Sequence, residues 1–370
     1  MRVLVCPDKF AGTLTAAQAA AAIAEGWARQ APADEIVEVP LADGGPGFLD
    51  VLHANLGGRL VAATVAGPRG EPVPGSVLVV GETGYVESAQ ACGLHLLPVA
   101  DRDPGLTSSF GVGELVAIAV EQGVRRVVVG LGGSATNDGG AGLLAALGAR
   151  PAEQLRAGGL ALSGLRHVDV EPARALLRRV DLVAATDVDN PLLGLRGASH
   201  GFARQKGADD DLVLALEDAL SHLVALVEPG TRALRTVAAQ PGAGAAGGLG
   251  YALLLLGGRR EPGIGTVLAA VGLAERVARA DLVVTGEGSL DWQSLHGKVV
   301  SGVAELGLAA ARPVIALAGQ VQVGRRELAA LGIESAYPVA ATPEQREASF
   351  ARPAQMLADL AARVARTWSP

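Results

Sequence analysis

Lysine is nearly missing from this 370-residue chain. Of its 31 basic residues only Lys9, Lys206 and Lys298 are lysines, which leaves 28 arginines. A surface that takes arginine almost everywhere singles out these three as places where a compact ammonium on a flexible stem is needed and a planar guanidinium will not serve. Chance is the competing explanation, but all three lie in glycine-rich or acid-containing segments. Cysteine is scarcer still: Cys6 and Cys92 cannot make a disulfide framework, and Cys6, inside an apolar run, reads as a small buried hydrophobe. No run approaches the ~18–20 apolar residues of a membrane span; the densest patch, Leu253 to Leu256, is flanked by glycines. The apolar stretch before Pro7 and Asp8 is too short for a secretory core. Positive charge is not in excess either: the net charge is −7, which argues against nucleic acid as the main partner. The expectation is a soluble, cytoplasmic chain with neither nucleic-acid nor membrane partners.

What is abundant is glycine, 50 residues of 370, about twice the usual ~7%. The glycines have no collagen period and cluster in short loops between apolar runs. With 49% hydrophobic and 19% charged residues the chain is neither disordered nor fibrous, and its length predicts two domains. The predicted elements alternate. An apolar strand at 2–6 is followed by a helix to Gln30 that opens on the capping box Thr15-Ala-Ala-Gln18. A second strand follows at 36–40, then strands and turns of antiparallel character over 57–94, a helix at 110–122, and strands at 125–130 and 180–185. A helix led by Asp209, Asp210 and Asp211 keeps Leu212, Leu216, Leu220, Leu223 and Val227 in period. Strands at 281–285 and 313–318 and helices near 299–311 and at the C-terminus complete the pattern. The fold class is therefore α/β with two domains. One is a doubly wound, Rossmann-like or flavodoxin-like parallel-sheet domain built from N- and C-terminal parts (1–62 plus 266–370). The other is an inserted mixed α/β domain (63–265).

Five segments sit where open parallel sheets bind ligands: 7–13, 42–45, 130–140, 185–191 and 285–291. Each joins glycine with carboxylate, hydroxyl or amide groups. The richest, 130–140, is fed by a strand and leaves into a helix, an arrangement that binds phosphate through backbone N–H groups; Ser134, Thr136 and Asn137 add donors, and Asp138 could reach a metal. A tight turn that needs glycine for its backbone accounts for two of its glycines but not all. Asp187 and Asp189 end a strand beside Asn190, with an Asx-turn before Pro191 as the structural alternative. Glu287 and Asp291 are four apart, and a helix starting at Ser289 would leave Asp291 merely favouring its first turn. His296, beside Lys298, reads as a loop histidine. Two patterns suggest a dinucleotide, Gly130-x-Gly132-x-x-Ala135 and Gly242-x-Gly244-x-x-Gly247. The first has no acidic residue at a strand end ~20 positions on, as ribose binding would want, and the second follows Pro241 rather than a strand. A Walker A loop is absent, since Val299 follows Gly297-Lys298 and no glycine stands at 292.

Asp43-Gly-Gly45, Gly132 to Gly142, Asp187 to Pro191, Gln205-Lys-Gly-Ala208, Gly242 to Gly248, Thr285-Gly-Glu-Gly288 and His296-Gly-Lys298 together resemble the bacterial type I glycerate kinases, in order and over nearly the whole chain. The resemblance implies a phosphotransferase with an alcohol acceptor, moving the γ-phosphoryl group of ATP with Mg²⁺ to D-glycerate, typically at the 2-hydroxyl to give 2-phosphoglycerate. Ala11 stands where the family often has Lys, Pro46 where Glu is usual, Phe48 where Thr is usual and Ser289 where Arg or Lys is common; Phe110 sits in a helix-start segment that is more polar in relatives. The phosphate and metal motifs are intact, which favours altered acceptor choice, toward a related hydroxy acid, over lost kinase chemistry.

On that resemblance Gly132, Gly133, Ser134, Thr136 and Asn137 hold the nucleotide phosphates, and Lys206 or Lys298 meets the charge on the transferring group. Asp43 and Glu287 are the Mg²⁺ candidates, Asp187 the base for the acceptor hydroxyl, and Asp8, Lys9, Asn190 and Asp291 the acceptor-binding residues. Two alternatives remain at this point: a nicotinamide-dependent oxidoreductase, and a non-catalytic organic-acid-binding protein.

Overall fold

Short apolar runs alternating with alanine-rich amphipathic stretches become strands joined by helices. The strands of this computed structural model are β1 (Arg2–Val5), β2 (Glu35–Glu38), β3 (Arg59–Ala66), β4 (Pro72–Val80), β5 (Thr83–Glu87), β6 (Arg126–Gly130), β7 (Asp181–Ala185), β8 (Arg259–Glu261), β9 (Leu282–Leu290), β10 (Val314–Val321) and β11 (Ile333–Pro338). The structure describes residues 1–230, 236–295, 297–340 and 342–369. It divides into two units: the first is Met1–Asp43, Asp50–Gly57 and Ile264–Pro370, and the second Gly44–Leu49 and Gly58–Gly263. Among the described residues no helix is long and apolar enough to cross a membrane.

The first unit carries a sheet of order β11-β10-β9-β1-β2, parallel at every pairing. The helix Ala16–Gln30 starts as the sequence predicts: Thr15 Oγ1 accepts the Gln18 N–H at 3.2 Å while Gln18 Oε1 accepts the Thr15 N–H at 2.9 Å. Its buried face, Ile23 and Trp27, joins Val3, Val5, Leu357 and Leu360 in one core. From β1 the chain winds to β2 on one side, and from β9 to β10 and β11 on the other. The sheet therefore reverses its winding between β1 and β9, the point where parallel sheets open a ligand crevice at their carboxyl ends.

Two features here depart from the sequence reading. β9 does not stop at 285 but runs to Leu290, because β10 pairs with it from Val314 against Val283 to Val321 against Leu290. The segment 285–291 is thus mostly strand, and no helix starts at Ser289. β11 was not anticipated; it is a half-exposed edge strand without the apolar run that marks buried parallel strands.

The second unit carries the order β3-β4-β5-β6-β7-β8. β3, β4 and β5 pair antiparallel, and β5 through β8 parallel. This is the mixed sheet expected from the change of pattern after residue 57. Helix Phe110–Glu121 buries Val112, Leu115, Val116 and Ala119. Helix Asp210–Val227 is capped by Asp209, which accepts the Leu212 N–H at 2.8 Å, with Asp210 and Asp211 favourably placed in its first turn.

Candidate active site

In the first unit the carboxyl ends of the strands surround a cavity of about 390 Å³. Asp8 and Lys9 reach it from the loop after β1, Asp43 from beyond β2, Glu287 from β9, and Asp291 and Lys298 from the segment that follows. Asp8 is only 6% exposed, and its Oδ1 accepts the Lys9 N–H at 2.7 Å. Burial first, and then the like charge of Asp43, push its carboxyl up to about 6 against the pull of Lys9 and Lys298. Glu287 is 7% exposed, and its Oε1 is buried with no hydrogen-bond partner. Burial pushes it up to about 7, with Asp8 and Asp291 adding to the rise and the Ser294 hydroxyl and Lys298 opposing it. Asp291 turns back on its own segment, accepting the Gln293 N–H at 2.8 Å. Lys298 opens helix Val299–Ala309, where its N–H donates to Ser301 Oγ at 3.1 Å. His296 lies outside the described residues.

Buried carboxylates of like sign, one with an orphaned oxygen, suit a hard divalent cation. Among the described residues no three His, Cys, Asp or Glu groups form a cage. Mg²⁺ takes one or two carboxylates and keeps several waters. Glu287, with Asp43 or Asp8, would hold it.

In the second unit the loop after β6 is organised from inside. Lys206 is 3% exposed, and its Nζ donates to the Thr136 carbonyl at 2.7 Å and to Ser134 Oγ at 3.1 Å. Burial lowers its pKa to about 8, against the opposing influence of Cys92 and Asp138. Thr136 and Asn137 are fully buried. Asn137 Nδ2 donates to Ser199 Oγ at 3.0 Å, while Thr136 Oγ1 and Asn137 Oδ1 find no partner. Asp138 does not face a metal. Its Oδ2 accepts from the Ser109 N–H and Oγ, each at 2.8 Å, and from Gly142 N–H, and its Oδ1 from Gly140 N–H. It locks the start of the helix Ala141–Ala146. Only Gly132 and Gly133 remain partly open to solvent.

At several glycines here neighbouring backbone fills the space a side chain would take. A Cβ on Gly132 would stand 2.6 Å from Gly45 Cα. Gly247, at φ +68°, would drive a Cβ into the Thr136 carbonyl oxygen, and its own carbonyl accepts the Gly139 N–H at 3.0 Å. The pattern 242–247 is therefore the packing partner of the 136–140 loop and not a dinucleotide fingerprint. Gly247→Ala should cost about 2 kcal/mol or more, read as a lower thermal midpoint; an unchanged midpoint would show that this approach is not made.

Asp187 is half-buried just past β7. Its carbonyl accepts from Arg260 Nη2 at 3.4 Å, and Thr186 Oγ1 accepts the Val188 N–H at 3.2 Å. Asn190 spends its Nδ2 on the Arg196 carbonyl at 2.6 Å, a loop-holding bond. Of the departures from the family pattern, Ala11 and Ser289 line the first unit's cavity, whereas Phe48 is fully buried, edge-on to Tyr85 at 6.2 Å. Sequence reasoning missed Ser109 and Ser199, which complete the network around Asp138 and Asn137. It also missed Gln320, Gln322 and Phe350 in the cavity wall. The one signal for Gln320 and Gln322 was their place directly after the apolar run 314–318.

A family model described as "Glycerate kinase family" matches residues 3–369. The chain is 39% identical over 364 residues to a glycerate kinase of Bacillus subtilis, covering 96% of this chain and 95% of that protein. It is 40% identical over 329 residues to a glycerate 2-kinase of Escherichia coli, covering 87% and 86%. A solved structure from Salmonella typhimurium LT2, described as a glycerate kinase 2, superposes with a TM-score of 0.83 at 36% identity, covering 100% of this chain and 98% of that one.

Proposed function

The chain belongs to the glycerate kinase family, and on that premise we propose that it transfers the γ-phosphoryl group of ATP, with Mg²⁺, to a hydroxyl of D-glycerate or a closely related hydroxy acid. The 2-hydroxyl is the position proposed, giving 2-phosphoglycerate, and the cytoplasm the compartment. The observation that carries this reading is the first unit's cavity. Buried carboxylates with an orphaned oxygen stand there beside two of the chain's three lysines, at the winding reversal of a parallel sheet.

Phosphoryl transfer asks for positioning and charge neutralisation more than for covalent chemistry. When bound, Mg²⁺ neutralises charge on the phosphate oxygens. Glu287 and Asp43 hold that cation, and Lys298 faces the charge that builds on the transferring group. Asp8, Lys9 and Asp291 orient the acceptor, and Asn190 holds the loop that carries Asp187. In the second unit the N–H groups of Gly132, Gly133 and Ser134 meet phosphate. Thr136, Asn137 and Lys206 act there mainly by fixing the loop, since their polar atoms are turned inward. Asp187 accepts the proton of the acceptor hydroxyl. Ala11 and Ser289 put small groups in the cavity wall where the resemblance implies that a cation is common, which favours an acceptor with fewer charged contacts than the usual one.

The test is ADP release followed with a panel of small hydroxy acids, with phosphorus NMR of the product. D-glycerate or a near relative should be turned over and phosphorylated at the 2-position. ATP binding without ADP release for every acid would replace the kinase reading with that of an acid-binding protein.

A further inference from the structure

The second unit has a cavity of its own, about 360 Å³, that no step of the kinase reading uses. Its lining shares no residue with the first unit's cavity and none with the 130–140 loop. β3 runs antiparallel to β4 and β4 to β5, which lies parallel to β6. β3 and β6 therefore point the same way, and the turn after β3 opens at the same sheet edge as that loop. Arg69 stands on this turn, and Arg156, just past the helix Ala152–Leu155, lines the same space with Ser108 and Phe110.

We infer that this cavity is an effector site for a small hydroxylated phosphate monoester, whose binding tightens the hold of the 130–140 loop on the nucleotide; that second half rests on the kinase reading above. Two guanidinium groups line the cavity, and neither is committed. Arg69 donates one side-chain N–H to the Asp101 carbonyl at 3.3 Å, while Glu71 is turned onto the backbone, accepting the Arg69 main-chain N–H at 3.0 Å. Arg156 lies over the Phe110 ring at 4.5 Å, which fixes its plane and leaves its edge N–H groups for a ligand. Its carboxylate neighbour, Glu153, is 3.9 Å away and 87% exposed, a pairing worth little. Two such forks match the oxygens of a phosphate. Ser108, only 7% exposed, accepts the Phe110 N–H at 3.3 Å and keeps its own proton to donate. Glu153 is the one carboxylate among the described lining residues; it accepts from a hydroxyl on the ligand and disfavours a second anionic group.

The link to the loop runs through three consecutive residues. The Ser108 N–H donates to the Pro68 carbonyl at 2.8 Å, which ties the segment to the turn that bears Arg69. Its neighbours hold the loop: Thr107 Oγ1 donates to the Ala135 carbonyl at 2.9 Å, and Ser109 donates through its N–H and Oγ to Asp138. An anion bridging Arg69 and Arg156 beside Ser108 stiffens the segment that grips Ala135 and Asp138. Less ordering is then left for the nucleotide to impose when it binds.

Calorimetry on the full-length protein tests this, with glycerol 3-phosphate as the probe and glycerol as its neutral control. The ester should bind and glycerol should not. Arg69→Gln and Arg156→Lys, the second keeping the charge but losing the fork, should each weaken the ester about tenfold and leave ADP binding unchanged. With Mg²⁺ present, the ester should tighten ADP about fivefold, ADP should tighten the ester by the same factor, and both shifts should vanish in the variants. An ester that does not bind, that binds both variants as it binds wild type, or that ADP displaces overturns the site. An ester that binds through both arginines yet leaves ADP binding unchanged overturns the effector role. None of these results touches the kinase reading. A wild-type protein that binds no ADP counts against the kinase reading instead, and the ester titrations still decide the site.

Discussion

Asp187→Asn is expected to lower turnover by about 10²–10⁴-fold, the usual worth of a general base, with the thermal midpoint nearly unchanged. The residue stands just past the carboxyl end of β7, where its backbone is held by the Arg260 guanidinium on its carbonyl and by the Thr186 hydroxyl on the next N–H. A side chain on so fixed a backbone points where the fold puts it, and asparagine keeps its size and its capacity to accept a hydrogen bond. What asparagine cannot do is take a proton. kcat and kcat/KM should therefore fall together, the pattern of an interaction made only in the transition state. Steady-state kinetics with the preferred acid measure this, and thermal unfolding controls for the fold. Turnover within a few-fold of wild type would remove Asp187 from the role of base.

How much of this was written in the sequence differs from residue to residue. The scarcity of lysine was informative: Lys9 and Lys298 line the first unit's cavity, and Lys206 is the buried ammonium that holds the 134–136 backbone. The capping box at Thr15 and the acidic start of helix Asp210–Val227 could be read because both are local, with donor and acceptor three residues apart. The inward turn of Asn137 and Asp138 could not. It is decided by Ser199 and Ser109, 62 and 29 positions away, and no spacing rule couples positions that far apart. The glycines were hard to read for a related reason. A glycine that admits a ligand and one that admits another stretch of backbone look alike in sequence, and at Gly132 and Gly247 the neighbour is backbone. The length of β9 was hidden because Gly-Glu-Gly-Ser reads as a loop, and only pairing with β10 makes it a strand. Gln320 and Gln322 carry no motif at all and gain meaning only from the strand end on which they sit.

Glu287→Gln is expected to do two opposite things. Turnover should fall by about 10²-fold or more, as when a group that stabilises developing phosphoryl charge is lost. Stability above neutral pH should rise. The second effect follows from burial. The Glu287 carboxyl titrates near 7 in the folded protein instead of at its ordinary 4.5, so between those values the native state keeps a proton that the unfolded chain has released. Stability therefore declines as pH climbs from 4.5 to 7, and above 7 the full cost of the buried charge is present. At ~1.4 kcal/mol per pKa unit the variant should gain on the order of 3 kcal/mol over wild type at pH 8, and the gain should shrink to nothing as pH falls toward 4.5. Asp8, raised from 3.8 to about 6 by burial and by Asp43, gives the same slope over a lower window and persists in the variant. Mg²⁺ offers a further separation. If Glu287 holds the cation, added Mg²⁺ raises the wild-type thermal midpoint by mass action and raises that of Glu287→Gln much less. Equal midpoints at pH 8, an equal response to Mg²⁺ and undiminished turnover would together mean that the orphaned carboxylate oxygen serves neither the cation nor the reaction.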